Sequence, residues 1–114
     1  MPSSEDSVRL RHMLDAARRA VQFAQGRDRA DLDGDLMFSL AMVRLLEIIG
    51  EASKYVAEEF RQSTPQIPWK QIGGTRDRLI HGYFDVDLDI VWTIVTNDLP
   101  VLVQELEKVI SHDT

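Results

Sequence analysis

The run Arg76-Asp77-Arg78-Leu79-Ile80-His81-Gly82-Tyr83 holds the side chains that phosphodiester transfer without a metal requires. Histidine takes or gives a proton near neutral pH. Arginine binds a phosphate and stabilises the charge that builds up on it in the transition state. Periodicity predicts a helix through this run, with His81 in its last turn, where the negative end of the helix dipole favours imidazolium. On that helix Arg76 and His81, five residues apart, point about 140° from one another. Asp77 and His81, four apart, share a face, so Asp77 is placed to orient the ring. One regular helix therefore does not assemble an Arg–His site. A distorted helix end, or a second copy of the motif across a two-fold axis, does. On the residues alone a structural histidine at a helix end is the default and catalysis the alternative.

Other chemistries fall away. The chain has no cysteine, which excludes disulfides, thiolate metal sites and thiol nucleophiles. Asp31-Leu-Asp33-Gly-Asp35 and Asp85-Val-Asp87-Leu-Asp89 resemble calcium loops, which need Gly at position 6 and Glu at position 12. Those positions hold Leu36 and Met42 in the first run, Ile90 and Thr96 in the second. Both runs read better as helix starts, with carboxylates near the positive dipole end. His12 and His112 fit no zinc spacing and belong to exposed surface. No metal site and no cofactor are expected.

Four amphipathic helices are predicted to carry the motif. The first, capped by Ser4 and ending near Gly26, lays Leu10, Leu14, Ala17, Val21 and Ala24 along one face. Arg27–Asp35 reads as a loop. The second runs to about Phe60, with Phe38, Met42, Leu45, Ile49 and Ala52 on one side and Leu36, Leu40 and Val43 opposite. An element apolar on two sides needs two neighbours, so it is central or at an oligomer interface. Arg44, Glu47, Glu51 and Lys54 form a potential ion-pair ladder on it. Gly50 costs up to about 1 kcal/mol relative to Ala in mid-helix, which signals close packing by this chain or another. Pro68 opens the third helix, irregular at Gly73-Gly74 and stopping at Gly82. Asp85 or Asp87 caps the fourth, whose stripe keeps its phase across Pro100 and so predicts a kink. No strand is evident. The fold expected is all-α, an antiparallel bundle of four main helices in one domain, residues 1–114.

Length and charge set the limits. One hundred and fourteen residues make one ordinary domain, and the net charge of −6 argues against a uniformly basic nucleic-acid binder. The charge is segregated, however. Residues 8–29 carry six Arg against Asp15 and Asp28, and residues 61–84 carry Arg61, Lys70, Arg76 and Arg78 against Asp77. Such segments can converge into a local anion site. No run is long enough to span a membrane, and the first residues lack the basic and apolar regions of a signal peptide. A cytoplasmic protein is expected.

Arg76-x4-His81-x-Tyr83 resembles the R-x4-H-x-Y signature of the HepT-like proteins in the HEPN superfamily. Leu46-Glu47-Ile48-Ile49-Gly50-Glu51-Ala52, Ile67-Pro68-Trp69 and Gly82-Tyr83-Phe84-Asp85-Val86-Asp87 match as well, so the resemblance covers nearly the whole chain. It implies a HEPN-like homodimer and a metal-independent ribonuclease, the toxin of a type VII-like toxin–antitoxin pair. The partner implied is a minimal nucleotidyltransferase antitoxin, and the substrate an RNA such as a tRNA or mRNA. Arg76 and His81 match the catalytic pair, and two motifs meeting in a dimer resolve the 140° separation. Asp77 takes the supporting polar position after the Arg, where Asn is common; its charge beside the scissile phosphate is a departure that blunts activity. Tyr83 matches the tyrosine the antitoxin modifies with AMP.

Two alternatives stay open. One is a catalytically silent helical dimer that only binds the nucleotidyltransferase, since fold is not function. The other is a nucleotide-binding partner domain in which Arg76 holds a nucleotide phosphate.

Overall fold

The computed structural model describes residues 2–82 and 85–111. Tyr83 and His112 lie outside the described residues. Three long helices form the frame: α1 (Ser4–Ala24), α3 (Leu36–Lys54) and α8 (Leu99–Ser111). Helix α1 packs against both α3 and α8. Its apolar stripe supplies Leu10, Met13, Ala17 and Ala20, all without solvent exposure. The expected faces of the other two, Met42, Leu45 and Ile49 on α3 and Leu102 and Leu106 on α8, close the same core, joined by Leu46, which the expected stripe did not include.

Several boundaries differ from expectation, each for a local reason. Ser3, not Ser4, caps α1, its hydroxyl accepting the Asp6 amide at 3.1 Å. The supposed loop Arg27–Asp35 contains a six-residue helix, α2 (Arg29–Gly34). A reciprocal box makes it: the Asp28 carboxylate accepts the Asp31 amide and the Asp31 carboxylate accepts the Asp28 amide. Buried Leu32 pins it to the core. The second helix does not reach Phe60. It stops at Lys54, and a new helix, α4 (Glu58–Ser63), begins after a break. Buried Asp6 of α1 accepts the Ala57 amide at 3.0 Å in that break, and Val56 plugs the core beneath it.

The third predicted helix divides at Gly74 into α5 (Trp69–Gly73) and α6 (Thr75–Leu79). The Trp69 indole donates to the Thr64 carbonyl and hydroxyl, which fixes the start of α5. Helix α6 ends at Leu79, three residues before the expected stop at Gly82. A short antiparallel ribbon follows, β1 (Ile80–His81) with β2 (Asp85–Val86), where no strand was expected. Asp87 caps α7 (Leu88–Thr93), its carboxylate accepting the Asp89 and Ile90 amides.

Pro100 is accommodated as a kink. A π-helical turn at Ile94–Asp98 joins α7 to α8. The Leu99 amide reaches back five residues to the Ile94 carbonyl, and the Thr96 hydroxyl donates to the Trp92 carbonyl. This widening satisfies backbone groups around a residue that has no N–H to donate.

Gly50 answers to this chain. A Cβ there stands 3.0 Å from the Ile72 carbonyl of α5, so the bare glycine lets α5 lie directly on α3. The expected ladder is mostly absent: Lys54 approaches Glu51 at 3.8 Å, while Arg44 and Glu47 make no ion pair among the described residues. On the second apolar face of α3, Val43 packs partly against the core, while the residues nearer the start of the helix are open among the described residues. Leu36, Met37 and Leu40 are 70, 82 and 60% exposed.

Candidate active site at α6 and the ribbon

Helix α6 is short, and its two ends decide where its side chains go. Thr75 and Leu79, four apart, both face the core, and Leu79 has no solvent exposure. The Thr75 hydroxyl donates to the Ile72 carbonyl at 2.7 Å and ties α6 to α5. With that face committed, Arg76 and Asp77 point to solvent and Arg78 is half-buried.

Beyond Leu79 the chain straightens. Ile80 takes extended dihedrals and pairs with Val86, and His81 pairs with Asp85. The Asp87 amide donates to the Leu79 carbonyl at 2.7 Å, which closes the ribbon between α6 and α7. Gly82 sits at φ +86°, a conformation that other residues adopt only with strain, so glycine is required where the chain leaves β1. His81 is therefore an exposed strand residue held between two anchored helices, not a residue of a helix's last turn. The helix-dipole argument for its charge lapses.

The same change redraws its neighbours. The 140° separation of Arg76 and His81 belonged to a continuous helix and does not apply. Asp77 no longer shares a face with His81. Asp85, directly opposite in an antiparallel register, is the carboxylate on His81's side of the ribbon. Sequence reading placed Asp85 as a candidate helix cap and missed this. The signal available was Gly82 followed by Asp85-Val86, a turn glycine inside a short alternating run.

Arg76, Asp77, Arg78, His81 and Asp85 make no side-chain hydrogen bond or ion pair among the described residues. Arg76 and His81 lie on one continuous segment, Arg76 on α6 and His81 on β1. Tyr83 falls outside the described residues. No three His, Asp or Glu side chains converge to hold a metal ion among the described residues. The two acidic runs are occupied otherwise, with Asp35 and Asp87 capping helices and Asp33 and Asp89 both paired to Arg29. His12 is exposed, as expected. No helix of the described residues is long and apolar enough to cross a membrane.

Comparison with known proteins agrees with the motif. Residues 13–109 match the family described as ribonuclease HepT-like. An RNase candidate of Methanocaldococcus jannaschii is 39% identical over 97 residues, covering 85% of this chain and 89% of the relative. One of Caldanaerobacter subterraneus is 36% identical over 104 residues, covering 91% and 93%. A ribonuclease HepT candidate of Thermococcus cleftensis is 45% identical over 74 residues, covering 65% and 67%. No solved structure matches. On this match, across most of its length and through the whole Arg76–His81 segment, the chain belongs to the ribonuclease HepT-like family.

Proposed function

We propose that this chain is a ribonuclease that needs no metal and acts as the toxin of a type VII-like toxin–antitoxin pair. The observation that carries the reading is the state of Arg76 and His81. Both are exposed and unpartnered on a segment whose backbone is anchored at each end. Charges left free on rigid backbone are suited to a ligand, because no internal pair has to break before binding.

The chemistry follows from those two groups. Arg76 binds the phosphate and its developing charge. The RNA 2′-OH attacks the adjacent phosphorus, forming the 2′-O–P bond while the P–O5′ bond breaks. A neutral imidazole accepts the 2′-OH proton, and a protonated one gives a proton to the departing 5′ oxygen. The products are a 2′,3′-cyclic phosphate and a free 5′-OH. A homodimer supplies both imidazoles, one His81 from each copy. The unpaired apolar face at Leu36, Met37 and Leu40 supports such a dimer.

Control is assigned to Tyr83. A minimal nucleotidyltransferase antitoxin joins AMP to its phenol oxygen from ATP, releasing pyrophosphate. The attached phosphate then occupies the anion site beside Arg76 and repels RNA. The silent binding-module reading has one feature in its favour, the unpartnered carboxylate of Asp77 next to Arg76.

The test uses purified protein and total RNA, with and without EDTA. Wild type is expected to cut in both conditions, and His81→Ala in neither. Cutting by His81→Ala at the wild-type rate overturns the mechanism. Cutting that EDTA abolishes overturns metal independence. Wild type that cuts nothing, yet binds the antitoxin, establishes the silent module.

A further inference from the structure

Arg76 and Arg78 are about 200° apart around α6, so they serve different faces of the helix. Arg78 borders a cavity of about 330 Å³ between α3, α5, the π turn and α8. Buried Leu46, Ile72 and Leu102 are among its apolar lining. Half-buried Arg78 and exposed Asn97 and Asp98 also line it, and none of the three has a side-chain partner among the described residues. The volume is at the small end of the roughly 300–1,000 Å³ of small-ligand sites. A shallow depression next to it shares Pro68, Gln71 and Arg78 with the cavity and adds Lys70 and Asp77. An apolar slot thus opens onto a shelf where Lys70 and Arg78 stand beside the Asp77 carboxylate.

That combination suits a nucleotide. A planar base fills an apolar slot, and the phosphate attached to it meets Lys70 and Arg78. Exposed Asn97 and Asp98 give a bound base polar partners at the rim. The carboxylate also chooses among bases, because it only accepts hydrogen bonds. Guanine offers adjacent N1–H and N2–H donors, which match its two oxygens. Uracil turns carbonyl oxygens toward it.

We infer that this cavity is a guanine-nucleotide subsite, one helix width, about 10 Å, from Arg76. It rests on the ribonuclease reading only for RNA as the source of the nucleotide. In RNA it takes a residue neighbouring the scissile phosphate, so Asp98 and Asn97 set the sequence preference of cleavage while Arg76 and His81 perform it. A free guanine nucleotide offers the same chemistry.

The experiment measures fluorescence anisotropy of 2′-O-methyl oligouridylates with and without one guanine. These lack the attacking hydroxyl, so binding is read apart from cleavage. The guanine oligomer is expected to bind about tenfold tighter, as one bidentate base contact supplies. Asp98→Asn, at an exposed position, should erase that difference, and Arg78→Ala should weaken both oligomers. Leu102→Trp fills the slot and is read only alongside an unchanged helical circular dichroism signal. Equal binding of the two oligomers overturns the subsite, as does a guanine preference that survives Asp98→Asn. Displacement by micromolar GMP assigns the site to free nucleotide; displacement only at millimolar GMP assigns it to RNA. Unmodified oligomers run in parallel separate the two readings. Guanine preference without cutting removes the ribonuclease and keeps the subsite. Cutting without preference does the reverse.

Discussion

Two arginine-bearing regions of this molecule use the same side chain in opposite ways. Around α2 every arginine is engaged. Arg27 pairs with Asp35 at 2.8 Å and Asp31 at 3.5 Å, and its guanidinium lies 4.0 Å from the centre of the Phe38 ring. Arg29 pairs with Asp89 at 2.7 Å and Asp33 at 3.1 Å, joining α2 to α7. At α6 and the ribbon, Arg76 and Arg78 have no partner among the described residues although Asp77 and Asp85 are near in sequence. The first region uses charge to orient helices. The second keeps charge available on backbone that hydrogen bonds and buried Leu79 already hold. Local rules left unsatisfied on a rigid frame mark a place where something else binds.

The largest effect expected is a crossed result. Arg76→Ala should lower RNA cleavage by about 10²–10³, as loss of one transition-state donor does. Its unfolding free energy should stay within about 0.5 kcal/mol of wild type, the usual range for a surface change. Arg29→Ala should do the opposite, cutting RNA normally and melting earlier in low salt. The comparison breaks if Arg76→Ala melts early, or if Arg29→Ala is stable and inactive.

The proposed dimer is tested on the exposed residues of α3. Leu40→Asp removes no core packing, since Leu40 is largely exposed. A carboxylate placed in a subunit interface is unpaired and desolvated, which raises the dimer dissociation constant at least about 100-fold. Light scattering should report monomers with full helical signal, and cleavage should fall with the dimer. A variant that stays dimeric moves the interface elsewhere.

Gly50→Ala probes how α5 and α6 are seated. Alanine gains up to about 1 kcal/mol of helix propensity, but its Cβ meets the Ile72 carbonyl at 3.0 Å. Backbone yields less readily than a side-chain tip, and overpacking costs about 1–3 kcal/mol. A net loss near 1 kcal/mol in urea denaturation is expected. A more stable variant shows that α5 moves freely and that the anchoring of the site is looser than drawn.

The long helices were legible because their signal is repeated. Leu10, Leu14 and Ala17, or Leu99, Leu102 and Leu106, report the same face turn after turn. Pro100 was read as a kink on the same ground, though not the π turn that makes it, which depends on where spare carbonyls find donors. Failures came where one contact outweighs a pattern. Arg27–Asp35 looked like loop because its composition is polar, yet Asp28 and Asp31 cap each other and Leu32 anchors the turn. The helix ending at Leu79 was overrun because Ile80 and His81 fit the period, while the ribbon depends on pairing with Asp85 and Val86. At the site, Arg76 and His81 were visible as residue types, and their exposure was not. Asp85 opposite His81 and the slot beside Arg78 are products of folding that no local spacing announces.

The smallest effect separates charge from capping at Asp35. Its carboxylate accepts the Phe38 amide at the start of α3 and pairs with Arg27. The Arg27 hydrogen bond first, then the Phe38 amide, hold its pKa below the ordinary carboxylate value. A group bound more tightly to its charged form in the fold stabilises the fold above the unfolded pKa, near 4. The contribution fades as pH drops below that value and is gone once pH passes below the lowered folded value. Asparagine keeps the cap and removes the charge. Asp35→Asn should therefore be less stable than wild type at pH 7, close to it at a pH below the lowered folded value, and less sensitive to salt. Asp35→Ala, which removes the cap as well, should remain less stable than Asp35→Asn at both pH values. Cleavage at pH 7 should be unchanged in both, because this carboxylate belongs to the braced region. A pH-independent gap between Asp35→Asn and wild type places the stabilisation in the cap alone, and the contrast between the two arginine regions then rests on Arg29.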